Sequence, residues 1–372
     1  MSNICCIFNM APHYRKAIYK LMNDTIHCDF YFGDRSKTNV KKMDYSGISG
    51  FKGELPRIYK TKDLYYLKGM LKVARMRNYD TFFISAENVN LSSYLFLLYA
   101  KLSGKKVIGW SHGWFKKKNW IYNLGNKWYF SLFDHLMLYG NYAKQFMAQH
   151  GLDESKMSVI YNSLDYEKQL EVRKSLCKSD IYRKHFKNDF PVVLYIGRIQ
   201  KRKRLDVLVE ALSILKEKGM PMNFVCIGAQ RDDIRLDEML KYKELEQFSW
   251  LYGPLYDEEK KGEMIYNADV CVSPGNVGLT AIDSLMYGLP VITNNDFSTQ
   301  MPEFEVVIEG ETGSFFERNN AIDLAAKIET WLKSNKDCNR DSVSERCYSV
   351  IDEHYNPHYQ IKVIENALKQ IK

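Results

Sequence analysis

The sequence contains no Cys-x-x-Cys pair, only nine prolines, no low-complexity tract and no apolar run near the roughly 20 residues that span a bilayer as a helix. The eight cysteines (Cys5, Cys6, Cys28, Cys177, Cys226, Cys271, Cys338 and Cys347) are scattered, most of them inside apolar runs where a thiol serves as a small hydrophobe. That usage excludes a disulfide scaffold or a thiolate zinc site and points to reduced thiols in a cytoplasmic setting. The longest apolar stretch, Tyr94 to Ala100 with its flanks, is too short to cross a membrane. The opening MSNICCIFNMAPHYRK has no basic segment before its short apolar run, so a secretory signal is not expected.

What is present is a globular composition, 45% hydrophobic and 26% charged over 372 residues, enough for two α/β domains with separate cores. Charge is divided unevenly. Residues 1–160 carry 24 Lys+Arg against 11 Asp+Glu, +13, while the remainder carries 29 against 34, −5. Such asymmetry points the first half toward an anionic partner, a membrane leaflet or a lipid-linked diphosphate. A nucleic acid is not expected, because no recognition motif accompanies the basic excess.

Short β-branched or aromatic runs alternate with amphipathic segments along the whole chain, the pattern of repeated β-α units and parallel sheets. In the first half the predicted strands are Ile4–Phe8, Asp29–Phe32, Thr81–Ser85, Lys106–Trp110, His135–Tyr139 and Met157–Tyr161, with helices over Asp63–Arg77 and Ser92–Leu102. After a charged stretch, Asp165 to Asn188, the alternation restarts with Pro191–Ile196, Asn223–Ile227, Ser249–Tyr252, Asp269–Ser273 and Pro290–Thr293. Helices over Leu205–Lys216 and Leu279–Tyr287 lie between them. The expected architecture is α/β: two doubly wound, Rossmann-like domains, 1–164 and 165–356, facing across a cleft, with helix 357–372 returning to the first.

Two stretches carry phosphate chemistry. In YIGRIQKRKRLDVLVEAL, residues 195–212, Gly197 turns the chain tightly after a buried strand, and Arg198 and Lys203 project as fixed positive charges from a short loop. In SPGNVGLTAIDSLMYGLPVITNND, residues 273–296, a turn leads into a helix near Leu279 whose free N–H groups and dipole suit an anion. Asp283 follows one helical turn later, a position from which a carboxylate accepts from ribose hydroxyls.

Together these stretches resemble the C-terminal domain of the GT-B retaining glycosyltransferases of family 4, whose pattern is Gly-Arg, a lysine five residues after the arginine, then Glu-x7-Glu. Gly197, Arg198, Lys203, the Gly278-Leu279-Thr280 core, Gly288-Leu289-Pro290, Pro302-Glu303, Gly310 and Gly313 fit that pattern, so the likeness is dense over residues 190–320 and thin before them. The resemblance implies that Arg198 and Lys203 neutralise the diphosphate of a nucleotide-sugar donor. Gly197, Asn276, Val277, Gly278, Leu279 and Thr280 would hold its phosphate and sugar oxygens, and Asp283 its ribose. Two positions depart: the second glutamate is Asp283, and the first, which contacts the donor sugar, falls on Gly275, so that either Asn276 or another side chain replaces that contact or the chain has lost activity.

In the first half, KVIGWSHGW ends a strand with His112, which the resemblance implies is a contact to the donor sugar. The loop after the first strand offers His13 and Arg15 as acceptor or phosphate ligands. Next, WFKKKNWIYNLGNKWYF interleaves Trp114, Lys116, Lys117, Lys118 and Trp120, a mixture suited to a lipid headgroup region at the inner face of the cell membrane. The resulting expectation is a cytoplasmic glycosyltransferase acting with retention of configuration, with no cofactor and no metal, on a glycan or lipid-linked acceptor of surface polysaccharide. The absence of any Asp-x-Asp pair agrees with the metal-free reading. A sugar-nucleotide 2-epimerase of the same fold and an inactive glycan- or membrane-binding relative are the alternatives.

Overall fold

The structure is a computed structural model that describes residues 3–36, 40–116, 118–231, 234–335 and 340–371. The chain forms two compact units, Met1–Asp165 with Asn356–Lys372, and Tyr166–Tyr355.

The first unit holds strands β1 (Ile4–Phe8), β2 (Asp29–Gly33), β3 (Phe51–Leu55), β4 (Arg57–Tyr59), β5 (Tyr65–Leu67), β6 (Thr81–Ser85), β7 (Lys106–Ser111), β8 (His135–Leu138) and β9 (Met157–Val159). Its helices are α1 (Lys16–Ile26), α2 (Met70–Ala74), α3 (Leu91–Leu102), α4 (Trp120–Ser131) and α5 (Asn141–Gln149). Seven strands form one parallel sheet in the order β3-β2-β1-β6-β7-β8-β9, with Ile4 beside Thr81 and Cys5 beside Asp29. Helices cover both faces, so central strands such as ICCIF and HLML read as continuous apolar runs. The pleat sends Cys5 and Ile7 into the core on one face, with Phe82, Phe96 and Tyr129. Cys6 and Phe8 go to the other, with Ile18, Met22 and Phe30.

The helix expected over Asp63–Arg77 is a correction. Tyr65–Leu67 pairs antiparallel with Arg57–Tyr59, and the left-handed Gly69 (φ 96°) then confines helix to Met70–Ala74. Fully buried Tyr65 is better accommodated on a hairpin than in a helical turn. Strand β3, with Lys52, Gly53 and Glu54 in five residues, carries too little apolar signal to be read from sequence.

The second unit contains α6 (Tyr166–Ser175) and α7 (Ile181–Phe186), which occupy the charged stretch Asp165 to Asn188. Strands β10 (Val192–Ile196), β11 (Asn223–Ile227), β12 (Ser249–Gly253), β13 (Val270–Ser273), β14 (Val291–Asn294) and β15 (Gly313–Phe316) follow. Among them run α8 (Leu205–Glu217), α9 (Leu236–Tyr242), α10 (Glu258–Asn267) and α11 (Thr280–Met286), and α12 (Ala321–Ser334) and α13 (Arg340–His354) come after the last strand. All six strands are parallel, in the order β12-β11-β10-β13-β14-β15. Helix α14 (Pro357–Gln370) returns to the first unit, as expected. It starts with proline at its first turn and an Asn356 side-chain cap on the Tyr359 amide, and packs Ile361, Ile364 and Ala367 into the core beside α1.

Among the described residues no helix is long and apolar enough to cross a membrane. Cys5, Cys6, Cys28, Cys226, Cys271 and Cys347 are buried free thiols and Cys177 an exposed one, whereas Cys338 lies outside the described residues.

Candidate functional site

In the second unit the chain winds outward from β10 to β12, then crosses back to continue from β13 in the opposite direction. The loops leaving the carboxyl ends of β10 and β13 therefore diverge, and this switch point is where open α/β sheets bind ligands. Those loops are the two motifs read from the sequence, residues 197–204 and 274–279.

The first loop is fixed by backbone crowding. Gly197 has φ 147°, and its carbonyl lies so close to Gly228 that a Cβ there would come within 1.8 Å of it. Tyr195 Oη donates to Arg198 O at 2.9 Å, and a short 3-10 turn over Lys201–Lys203 delivers the chain to α8. Arg204 turns aside to pair with Asp206 at 2.7 Å. Among the described residues Arg198 has no side-chain hydrogen bond or ion pair, and Lys203 has no carboxylate within ion-pair distance. Lys203 Nζ donates only to the Asn276 carbonyl. Burial, then the like charges of Arg202 and Arg198, lower its pKa to about 8 against the opposing pull of buried Glu303. Two cations thus stand at one loop with no carboxylate in ion-pair contact among the described residues and only the Glu303 charge nearby, an arrangement that an anion stabilises.

The second loop packs directly on the first. The Gly275 amide donates to Lys203 O at 2.9 Å, and a Cβ on Gly275 would lie 2.1 Å from Arg202 O and 2.6 Å from Lys203 Cα. No side chain fits there, which is the physical reason for glycine where the resemblance places glutamate. Behind the loop, Asn294 Nδ2 donates to Pro274 O (3.0 Å) and Gly275 O (2.7 Å). Buried Gln300 takes the Val277 amide at 2.7 Å and donates to Thr293 Oγ1 and Asn294 O, both at 2.9 Å. Val277 is fully buried with its N–H so engaged, a correction to its expected part in holding phosphate. Thr280 Oγ1 donates to Ile196 O at 3.0 Å, tying the start of α11 to the end of β10. Asn276 Oδ1 is buried with no hydrogen-bond partner among the described residues.

Asp283 lies in the first turn of α11, as expected, but its Oδ1 already accepts from Lys261 Nζ (2.9 Å) and Gln169 Nε2 (2.7 Å). Glu258 accepts from the same lysine (3.0 Å), from Gln169 (3.0 Å) and from Tyr287 Oη (2.7 Å). Burial and the neighbouring Glu258 push the Asp283 carboxyl up, and its two carboxylate neighbours hold Lys261 up in turn. Lys261, Gln169, Glu258 and Gln300 belong to neither stretch; tertiary packing alone brings them here.

The first unit has its own switch point between β1 and β6. A pocket of about 180 Å³ lies there, lined by Asn9, Tyr14, Arg15, Glu87, His112 and Tyr139 among others. The Arg15 guanidinium donates to Tyr139 Oη and sits 5.4 Å from the Trp110 ring centroid and 5.0 Å from that of Tyr139. Its Nε has no hydrogen-bond partner among the described residues. Glu87 is engaged by Asn9, Tyr65 and Arg57 instead. His112 packs on Tyr139 with centroids 4.6 Å apart. Part of its ring meets solvent, but the surrounding protein and the Arg15 charge lower its pKa to about 4, so it is neutral at pH 7. His13 is a correction: it is exposed, points Nδ1 at Lys41 O (3.2 Å) and does not line the pocket. Trp114 is another. It is buried against Phe146 and His150 with its indole N–H on Lys116 O at 3.0 Å, so it cannot meet a membrane. Lys116, Lys118 and Trp120 are exposed, and Lys117 lies outside the described residues.

Two doubly wound parallel sheets with these switch-point loops define the GT-B type of α/β protein, and solved structures share the fold. The structure of Anabaena Alr3699/HepE in complex with UDP superposes with a TM-score of 0.72 at 12% identity, covering 99% of this chain and all of that one. The lipopolysaccharide outer core galactosyltransferase WaaB in its apo form superposes at 0.70 with 16% identity, covering 98% and 99%. Residues 178–344 match the family model of Glycosyl transferases group 1. A relative from Klebsiella pneumoniae, an uncharacterized 41.2 kDa protein in the cps region, is 25% identical over 198 residues, half of each chain. The capsular polysaccharide biosynthesis glycosyltransferase CapM of Staphylococcus aureus is 26% identical over 189 residues, 47% of this chain and 46% of its own. The chain thus matches about half the length of these curated relatives.

Proposed function

We propose that this protein is a metal-independent glycosyltransferase that moves a sugar, with retention, from a nucleoside-diphosphate sugar to a hydroxyl of a glycan or lipid-linked saccharide in surface-polysaccharide assembly. The observation that carries the reading is that Arg198 and Lys203 stand together, with no carboxylate within ion-pair distance among the described residues, at the switch point of the unit that matches the group 1 model. As the glycosidic bond of the donor breaks, negative charge grows on the departing diphosphate. Fixed cations in a partly desolvated loop stabilise that charge without reorganisation.

Asn276 Oδ1, a buried acceptor without a partner among the described residues, supports Asn276 as the contact to a donor-sugar hydroxyl that the resemblance assigns to glutamate. Asp283 would serve the ribose through its carboxylate, held in place by Lys261 and Gln169. His112, neutral at working pH, would donate or accept a hydrogen bond at the sugar rather than carry charge. The name of CapM and of a colanic acid glycosyltransferase relative, WcaL, support polysaccharide assembly as the context. The name of a poly(ribitol-phosphate) α-N-acetylglucosaminyltransferase supports an anionic acceptor.

Thermal unfolding against a panel of nucleotides and nucleotide sugars tests the reading, since a ligand that binds only the folded state raises its stability. At least one diphosphate nucleotide stabilises the wild type, chelator leaves the shift unchanged, and Arg198→Ala largely abolishes it. A wild-type protein stabilised by no nucleotide would overturn the proposal.

A further inference from the structure

Eight of the fifteen exposed large hydrophobic side chains among the described residues lie on two helices of the first unit. On α3 they are Leu91, Leu95, Leu98 and Leu102, the last 89% exposed. On α4 they are Trp120, Ile121, Leu124 and Trp128, the first 74% exposed. The spacing is helical in both cases, so each set forms one stripe. Tyr94 of α3 stacks on Trp128 of α4 with centroids 5.8 Å apart, which sets the stripes side by side. Single exposed leucines are ordinary in a water-facing protein; a contiguous two-helix patch marks an interaction surface.

Charge identifies the partner. Residues 88–133, which contain both helices, hold seven lysines and not one aspartate or glutamate. Lys116 and Lys118 are exposed just before α4, and Lys118 lies 4.3 Å from the Tyr122 ring centroid. A protein partner of ordinary composition would not demand the loss of every carboxylate across 46 residues, whereas an anionic bilayer surface does. We infer that the joined outer face of α3 and α4 docks on an anionic membrane leaflet, with the leucines and tryptophans entering the headgroup region and the lysines meeting lipid phosphates.

The placement also gives the acceptor a path. A groove of about 310 Å³ runs past Lys118, Lys116, Tyr122 and Trp114 to Ser111 and His112. A saccharide on a lipid carrier held in the leaflet would enter along it. This last step rests on the proposed transfer reaction; docking itself does not.

The test is sedimentation of the full chain with vesicles of phosphatidylcholine alone or mixed with phosphatidylglycerol, without donor or acceptor, so failure here is separable from failure of nucleotide binding. The wild type binds the anionic vesicles and leaves the neutral ones. Each lysine near such a surface contributes roughly fivefold in affinity, so Lys116→Glu with Lys118→Glu weakens binding by about 25-fold or more, and added salt does likewise. Leu95→Glu with Leu98→Glu, and Trp120→Glu with Trp128→Glu, each reduce it by more than tenfold while the nucleotide-induced thermal shift is retained. Equal binding of either pair and wild type would overturn the inference. So would light scattering that shows a wild-type dimer, split by Leu95→Glu with Leu98→Glu, and no vesicle binding.

Discussion

Restoring the glutamate that the resemblance places at position 275 should damage this protein. Gly275 has its Cα against the backbone of the preceding loop: a Cβ would stand 2.1 Å from Arg202 O, 2.6 Å from Lys203 Cα and 2.8 Å from Lys203 C. None of these atoms belongs to a side chain that can swing away. Bringing the shortest contact to an ordinary van der Waals distance requires the loops to separate by more than about 1 Å, and overpacking of that kind costs roughly 1–3 kcal/mol. For a domain this size the melting temperature should fall by about 3–10 °C. The same shift breaks the bond from the Gly275 amide to Lys203 O and moves Lys203 off Asn276 O, so the cation leaves the place where the proposed function has it meet a diphosphate. Misplacement by about 1 Å costs on the order of 100-fold in turnover. Gly275→Ala separates the clash from the carboxylate: it should show most of the loss, with Gly275→Glu no better. Calorimetric titration with the stabilising nucleotide and thermal unfolding measure both effects. If Gly275→Ala binds nucleotide and unfolds like the wild type, the steric reasoning fails.

On the proposed function, Lys203 should make nucleotide binding depend on pH. Its folded pKa of about 8 lies below the ordinary 10.5, so its charge costs stability at neutral pH, and that cost fades as pH rises from about 8 through 10.5. A diphosphate prefers the charged form. Affinity should be flat up to about pH 8 and then fall by at most one log unit per pH unit; Lys203→Met should bind weakly and without that fall. Gln300→Ala removes the partner of the Val277 amide and of Thr293 and Asn294, leaving buried polar groups unsatisfied at about 1–3 kcal/mol. Thermal unfolding should register a drop of several degrees, accompanied by weaker nucleotide binding.

By itself the sequence determined the alternation of strands and helices, because buried parallel strands leave apolar runs such as Val192–Ile196 and Asn223–Ile227 that no neighbour can disguise. It also located the two switch-point loops, since Gly197, Arg198, Lys203 and the Gly278 turn lie within short stretches of chain. Short or polar elements escaped it: Phe51–Leu55, the Tyr65–Leu67 hairpin strand and Gly313–Phe316 owe their conformation to partners elsewhere in the chain. Only the tertiary structure decided that Gly275 abuts Lys203, that Gln300 closes the loop on Val277 and that Asp283 meets Lys261 and Gln169, because these contacts join residues from 22 to 114 positions apart. It likewise decided that Trp114 is core and that the leucines of α3 are surface. Both are apolar in sequence, and only packing against a sheet tells a buried face from a bare one.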